Sequence, residues 1–454
     1  MKVILSNKIV IQQAPHVLQQ KIKNLLTVEN PIWLENERIG RWNKGVERTL
    51  TFYQITSDNE IVIPRGLMRY VIDLAREFKV TYQWIDRRRL LNEIDFSFHG
   101  ELKPFQQQAV NRMFTKHFGI LCAPTGSGKT IMGLWLIAKR KQPTLIIVHK
   151  KTLALQWIDN IQKHLNISGA DIGLIGDGKY EVGKKITVAM VQSLYKHLDE
   201  IRYFFGYILV DECHRIPSRT FTDAVVNFDS YYMMGLTATP YRRDELSKLI
   251  FWYLGKMNYR IHDKLLVKRG DILKAEVIIR PTEFQFYQDA SKNYSKLIEL
   301  LINDKQRNKL IAEDITKEVN MNSGICLVLS DRKIHCETLH AYLLYNQGIA
   351  SEMLIGSMTT QQRERVIERL TNNEVHVLIA TSQLIGEGFD FPALSILFLS
   401  TPIRFSGRLL QYLGRILRPS PGKNIAKVYD YVDVHVPVLE SAARSRQKVY
   451  SRTE

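Results

Sequence analysis

With 454 residues the chain is too long for one ordinary core, so two or three domains are expected. Its 45% hydrophobic and 24% charged residues are the balance of a globular protein. No apolar run reaches the roughly 18 residues that a membrane-spanning helix needs. Lys+Arg 63 against Asp+Glu 46 leaves a formal charge of +17, which favours a polyanionic partner without separating DNA, RNA and anionic membrane.

The excess is uneven, with ten basic and four acidic residues in 401–454 but fifteen and eleven in 1–95. A track for nucleic acid is therefore not expected to belong to the N-terminal region alone. Cys122, Cys213, Cys326 and Cys336 form no CxxC pair and read as small buried hydrophobes of a reducing compartment rather than zinc ligands. The opening MKVILSNKIVIQQ lacks a long apolar region and a cleavage site, so it reads as strand and not as a signal peptide.

Residues 1–95 predict a small α+β unit. TLTFYQI and EIVIPRG are β-rich runs separated by TSDN, a hairpin signal, and Leu67, Tyr70, Val71, Leu74 and Phe78 then recur on one helical face. The stretch from Trp84 to Pro104 reads as a connection. From about residue 100, the apolar runs GILCA, TLIIVH, KITVAM, YILVDE and YMMGLT alternate with helical stretches, the pattern of buried parallel strands covered on both faces. Residues 241–320 look charged, helix-prone and poor in strands. A second α/β series follows with GICLVLS, HVLIATS, SILFLS and KVYDYVDV.

The segment APTGSGKT, residues 123–130, fits GxxxxGK[ST] except for Ala123 at the first glycine. Gly126 and Gly128 let backbone N–H groups approach phosphate oxygens, and the helix that follows adds its positive end. Lys129 is placed to reach β- and γ-phosphates, and Thr130 to ligate Mg²⁺. Pro124, Thr125 and Ser127 complete the cradle. Downstream, YILVDECHR sets Asp211 and Glu212 at the end of an apolar strand. Asp211 is the candidate second Mg²⁺ contact, and Glu212 the candidate base that orients the attacking water. In GLTATP, the hydroxyls of Thr237 and Thr239 could bond to the acidic motif and report its state; His214 joins them as a coupling candidate.

APTGSGKT, DECH, TATP, IATSQLIGEGFDFP and QYLGRILRP stand in the order of motifs I, II, III, V and VI of superfamily 2 helicases over residues 101–420, and the chain is similar to that family. The resemblance implies an α/β protein of two tandem RecA-like domains with a small α+β N-terminal accessory domain. It divides into 1–95, an accessory and DNA-binding domain; 96–265, the ATP-binding RecA-like domain; and 266–454, a helical connector and second RecA-like domain. It also implies ATP in the cleft between them, with Mg²⁺. Gln106, in LKPFQ, would read the adenine, and Gly386, Gly388 and Asp390 would approach the nucleotide and its ribose. Gln411, Arg415 and Arg418, expected on one face of a helix, would present arginines to the γ-phosphate from the opposite lobe. Arg404 and Arg408 fit a solvated basic face better. Motifs Ia, Ic and V would bring Lys150, Gln192 and Thr381 to a phosphodiester backbone.

DECH with TATP is unlike the DEAD and SAT of DEAD-box RNA helicases. It looks closer to XPB-like, RadD-like and UvsW-like DNA helicases, though Arg242, Arg243 and Asp244 match the XPB-type RED element only as R-x-D. The resemblance points to a monomeric DNA helicase of a bacterial or phage-infected cytoplasm acting on branched DNA, with no membrane partner. An RNA helicase, a restriction-enzyme motor and an ATP-dependent duplex sensor remain open, although no nuclease constellation stands out. In the N-terminal region Arg38, Arg41, Lys44 and Arg48 surround Trp42, either as phosphate contacts beside a base-stacking indole or as a solvated loop beside a core residue.

Overall fold

A computed structural model describes residues 1–215, 219–239, 246–290, 292–321, 324–386, 391–403, 406–424 and 426–451, with no side chains described at 219–221, 386 and 406. The chain divides into two compact units, Met1–Ala123 with Gly128–Ile261, and Pro124–Ser127 with His262–Glu454.

The first unit begins with a five-stranded sheet in the order Gln54–Ile55, Ile61–Pro64, Lys8–Gln12, Lys2–Leu5, Gln83–Asp86. Its first four strands are antiparallel, whereas Gln83–Asp86 pairs in parallel with Lys2–Leu5, so the expected connection after residue 84 begins inside a strand. The hairpin around TSDN forms between Gln54–Ile55 and Ile61–Pro64. The run expected as one strand, TLTFYQI, is split, because Thr49–Thr51 turns away to pair with Thr27–Glu29. That two-stranded ribbon brackets the helix Pro31–Arg38, which buries none of its residues. By contrast, the helix Met68–Glu77 buries Val71, Leu74 and Ala75, as the spacing of its apolar residues requires.

The small domain is fused to the larger one. Its core of Val3, Leu5, Ile9, Ile11, Leu18 and Val71 extends to Leu249 and Trp252 of the helix Ser247–Leu254. Gly66 permits this contact, since a Cβ there would lie 2.4 Å from Gly255 N and 2.5 Å from Phe251 O. The buried Arg65 guanidinium donates to Phe228 O at 3.3 Å and Ser230 O at 3.1 Å. Burial, with the Arg88 charge, draws its pKa down to about 9.

The main sheet of this unit has eight strands, ordered Lys179–Glu181, Ile172–Gly176, Ile186–Met190, Thr144–Val148, Tyr207–Val210, Tyr232–Thr237, Phe118–Cys122, Met257–Arg260. All neighbours are parallel except the first pair. Thr144–Val148 and Tyr207–Val210 are buried at every position, which is why they read as unbroken apolar runs. The candidate motifs follow the carboxyl ends of these strands, where open α/β sheets place their ligands.

In the second unit six parallel strands run in the order Ala275–Thr282, Ala426–Asp433, Leu394–Leu399, Ile325–Ser330, Val377–Thr381, Glu352–Leu354. The region 241–320, expected to be poor in strands, contributes Met257–Arg260 to the first sheet and Ala275–Thr282 to the second. Both run along sheet edges, and half-exposed edge strands lack the solid apolar run that flags a central one. Among the described residues no helix is long and apolar enough to cross a membrane.

Candidate active site

Gly126 and Gly128 take φ of 86° and 80°, conformations that side chains with a Cβ rarely adopt. Gly128 caps the helix Lys129–Arg140, and a Cβ on it would meet Gln106 Nε2 at 2.4 Å. Gln106 is itself fixed, since its Oε1 accepts from Lys103 N at 2.9 Å in a capping box of the helix Pro104–Phe114. Lys129 Nζ donates to Ala123 O at 3.1 Å, and Ser127 Oγ to Pro124 O at 2.7 Å. Thr125 Oγ1 is buried with no hydrogen-bond partner among the described residues. Thr130 follows Lys129 in the first turn of the helix. A glycine turn with left-handed φ, a lysine and an unsatisfied hydroxyl suit a phosphate chain.

Asp211 and Glu212 leave the strand Tyr207–Val210 together but in different environments. Asp211 is buried; its Oδ1 accepts from Glu212 N at 2.9 Å and its Oδ2 from Trp157 Nε1 at 2.9 Å. Burial first, and then the Glu212 charge, push its carboxyl above the usual range. For Glu212 burial also pushes upward, but His214 and the Lys129 charge outweigh it and hold the carboxyl at about 2. Glu212 sits at φ 47°, a left-handed conformation that costs a non-glycine residue of the order of 1 kcal/mol. Strain at such a position marks a side chain aimed by its surroundings.

His214 ties this pair to the next strand. Its Nδ1 lies 3.2 Å from Glu212 Oε2 and 3.2 Å from Thr237 Oγ1. Thr237 Oγ1 donates to Thr239 O at 2.8 Å and accepts from Thr239 N at 3.1 Å. With its hydroxyl proton committed to a carbonyl, Thr237 can only accept from the imidazole, so Nδ1 carries the proton. Hydrogen bonds thus run His214–Thr237–Thr239, with Glu212 Oε2 at ion-pair distance from His214 but taking no hydrogen bond of its own among the described residues. Beside it His149 is driven to about 3 by burial and the Arg215 charge, and stays neutral at physiological pH.

The remaining candidates are placed by their elements. Lys150 is the N-cap of the helix Lys151–Leu165, Gln192 is exposed at the start of Val191–Leu194, and Thr381 ends the strand Val377–Thr381. Gly386 closes the helix Ser382–Gly386; Gly388, Asp390, Arg242, Arg243, Asp244 and Arg404 lie outside the described residues. Gln411 and Arg415 are on the helix Ser406–Ile416, but Arg418 is not, because the helix ends two residues before it. Leu417 N closes on Leu413 O, but the next N–H, that of Arg418, turns to Arg415 O at 3.4 Å, and Leu417 O accepts from Leu273 N instead of a helical N–H. The expected single face therefore holds for two residues and a turn carries the third.

On the ribbon of the small domain Trp42 is 86% exposed, which removes the core reading of this residue. Lys44 Nζ lies 5.8 Å from the centre of its ring, Arg41 is exposed, and Arg38 pairs with Glu35 at 2.8 Å. Trp157 was not among the candidates expected from sequence. In a helical pattern with Ala154, Ile161 and Leu165 it looks like a core residue, and it is one. The overlooked signal was chemical, since a buried indole N–H requires an acceptor.

Two family descriptions match the chain. Type III restriction enzyme, res subunit, covers residues 99–242, and the helicase conserved C-terminal domain covers 305–420. The chain belongs to the superfamily 2 helicases, whose paired RecA-like domains are the two parallel sheets described above. A protein of Acanthamoeba polyphaga mimivirus, provisionally named as an ATP-dependent RNA helicase, is 28% identical over 79% of this chain and 69% of its own length. The DNA 3'-5' translocase XPB2 of Sulfurisphaera tokodaii is 29% identical over 70% of this chain and 79% of its own. A fragment described as an HsdR subunit of a type I restriction enzyme, from Vibrio vulnificus, shares the fold at a TM-score of 0.60 and 20% identity, over 77% of this chain and 66% of that one.

Proposed function

We propose that the chain is an ATP-driven DNA translocase and helicase that remodels branched DNA such as forks and Holliday junctions, acting as a monomer. The observation that carries this reading is Glu212 held ionised beside Lys129, with His214 at ion-pair distance and hydrogen-bonded onward to Thr237 and Thr239. A carboxylate held ionised and wired to the neighbouring strand can accept a proton from an attacking water and pass its state onward. In this reading Gln106 contacts the base, and residues 124–130 cradle the phosphates. Thr130 and Asp211 offer the hard oxygen donors that Mg²⁺ takes. Bound Mg²⁺ supplies charge neutralisation at the phosphates and lowers the cost of ionising Asp211. Arg415 and Arg418, with Gln411, act on the γ-phosphate from the second RecA-like domain, and Gly386 and Asp390 line the nucleotide's far side.

DNA is preferred because the acidic motif reads DECH and the S. tokodaii relative is named a DNA translocase. Lys150, Gln192 and Thr381 hold the backbone in this reading, while residues 1–95 select the branch through Arg38, Arg41, Trp42 and Lys44. The exposure of Trp42, with Lys44 beside its ring, supports stacking on an unpaired base. An RNA helicase is the second reading, favoured by the name of the mimivirus relative. ATPase stimulation by single-stranded DNA, forked DNA and RNA, paired with a fork-unwinding assay, tests them. Forks should stimulate most and be unwound. Stimulation by RNA alone would establish the second reading, and stimulation by duplex without unwinding would leave a translocase that does not separate strands.

A further inference from the structure

The acidic pair has a buried aromatic neighbour on the helix Lys151–Leu165. Trp157 is 1% exposed in the middle of the helix Lys151–Leu165, and it touches two parts of the site at once. Its indole N–H donates to Asp211 Oδ2 at 2.9 Å. The ring lies over the helix Lys129–Arg140 so closely that a Cβ on Gly133 would come within 3.0 Å of Trp157 Cη2. Its own helix begins directly after Lys150.

The Asp211 backbone is already fixed, because its N–H donates to Ile147 O at 3.0 Å and continues the strand pairing. Only the side-chain torsions are left, and two donors on two different oxygens determine them: Glu212 N on Oδ1 and Trp157 Nε1 on Oδ2. Each donor occupies one lone-pair site and leaves the other sites of the carboxylate aimed in a set direction. Of the two donors only Trp157 is a side chain, so only it ties this orientation to another element.

We propose that Trp157 is a positioning residue for the metal-binding carboxylate, using its indole N–H to hold Asp211 in the rotamer that receives Mg²⁺ against the nucleotide on the Lys129 helix. Such outer hydrogen bonds orient a ligand before the metal arrives, and losing one typically costs about 10–100-fold in metal affinity. The packing on Gly133 gives the arrangement a purpose beyond filling space. The helix Lys129–Arg140 and Asp211 are both referenced to the same ring. This inference rests on the nucleotide reading above.

The test separates metal from nucleotide. Binding of a fluorescent ADP is titrated in EDTA and then at increasing Mg²⁺, for the wild type and Trp157→Phe. Trp157→Phe should bind the nucleotide normally in EDTA but need about tenfold more Mg²⁺ for the metal-dependent gain. Combined with Asp211→Asn it should add nothing to the loss caused by Asp211→Asn alone, since the two residues act through one group. If Trp157→Phe does not fold, benzothienylalanine at 157 replaces the N–H by sulfur at nearly constant shape, and the same result is expected. An unchanged Mg²⁺ requirement, an equal loss with and without Mg²⁺, or an additive double variant would each overturn the proposal. Failure of the nucleotide reading looks different, because the wild type would then bind no ADP in either condition.

Discussion

Two strands of this molecule look alike in sequence and do opposite things. YILVDE ends on Asp211 and Glu212, and KVYDYVDV carries Asp430 and Asp433 in the last strand of the second sheet. Asp211 and Glu212 follow the carboxyl end of a buried parallel strand, Asp433 ends another, and Asp430 stands three residues before that end. Asp430 is clamped by Arg446, with Nε at 3.0 and 2.9 Å and Nη2 at 2.7 Å, and by the Tyr450 hydroxyl at 2.8 Å. Asp433 takes Arg307 Nε at 2.8 Å and Thr282 Oγ1 at 2.6 Å. Tyr429 and Tyr431 extend the network to Glu318 and Asp314. Asp211, in contrast, is held by a neutral indole and a backbone N–H. A carboxylate neutralised by arginine has no charge left for a metal or a water. One held by neutral donors keeps it, at the cost of a raised pKa. Position at a strand end therefore does not make an acid catalytic; what matters is whether its partners use up its charge.

The strongest break in this comparison is chemical. Glu212→Gln removes the proton acceptor but keeps the shape, and ATP turnover should fall by about 10²–10⁴ while Mg²⁺-dependent nucleotide binding persists. Lys129→Ala should lose binding as well. Steady-state ATPase with equilibrium binding checks both, and turnover by Glu212→Gln near the wild-type rate would remove the assignment. Melting temperatures of these variants should stay close to the wild type.

Asp430→Ala should invert that pattern. It strands the Arg446 guanidinium, which is buried, and such a broken pair typically costs about 3–5 kcal/mol. Denaturant unfolding should show the loss, while ATP turnover measured well below the lowered melting point should remain within a few-fold. A loss of turnover without a loss of stability would mean that the second strand end is also chemical.

Much of this was legible beforehand, and the missing parts have identifiable causes. Both parallel sheets could be read because fully buried strands are solid apolar runs, and the glycine turn at Gly126 and Gly128 because positive φ demands glycine. The edge strands Met257–Arg260 and Ala275–Thr282 were not, since most of their positions are only partly buried or exposed. Arg418 was extrapolated along a helix that ends early, although Pro419 directly after it disfavours helical backbone at Arg418. Local pattern also hid the union of the N-terminal domain with the helix Ser247–Leu254, where Trp252 and Gly66 are far apart in sequence. Removing residues 1–95 would expose Leu249 and Trp252, so such a truncation tests stability together with branch selection. The exposed ribbon offers a cleaner cut. Trp42→Ala with Arg41→Ala and Lys44→Ala should leave stability within about 0.5 kcal/mol. It should weaken fork binding by the equivalent of about 1–3 kcal/mol, relative to unbranched duplex. Equal fork and duplex losses in a competition assay would remove the ribbon from branch selection.

The smallest effect concerns acid, and it sharpens the contrast between the two strand-end networks. His335 is buried under the second sheet; its Nε2 faces Asn308 Oδ1 at 2.9 Å and its Nδ1 faces Ser330 Oγ at 3.0 Å. The amide oxygen can only accept, so Nε2 carries the proton, and the ring sits neutral. Burial first, then the Arg307 charge, lowers its pKa to about 3 from an ordinary 6.5. Below 6.5 the unfolded chain gains a proton that the folded chain refuses. Stability from this group is therefore complete above that pH and is lost as the pH falls towards 3. One unit below, at pH 5.5, the loss should be about 1.4 kcal/mol. Glu212, held at about 2, behaves differently, since its ionised form persists throughout this window. Unfolding midpoints of the wild type and His335→Gln at pH 7.5 and 5.5 measure the term directly. The gap between the two proteins should close by about 1.4 kcal/mol at the lower pH. If it stays constant, His335 is not the group through which mild acid loosens the scaffold beneath the arginine-clamped strand.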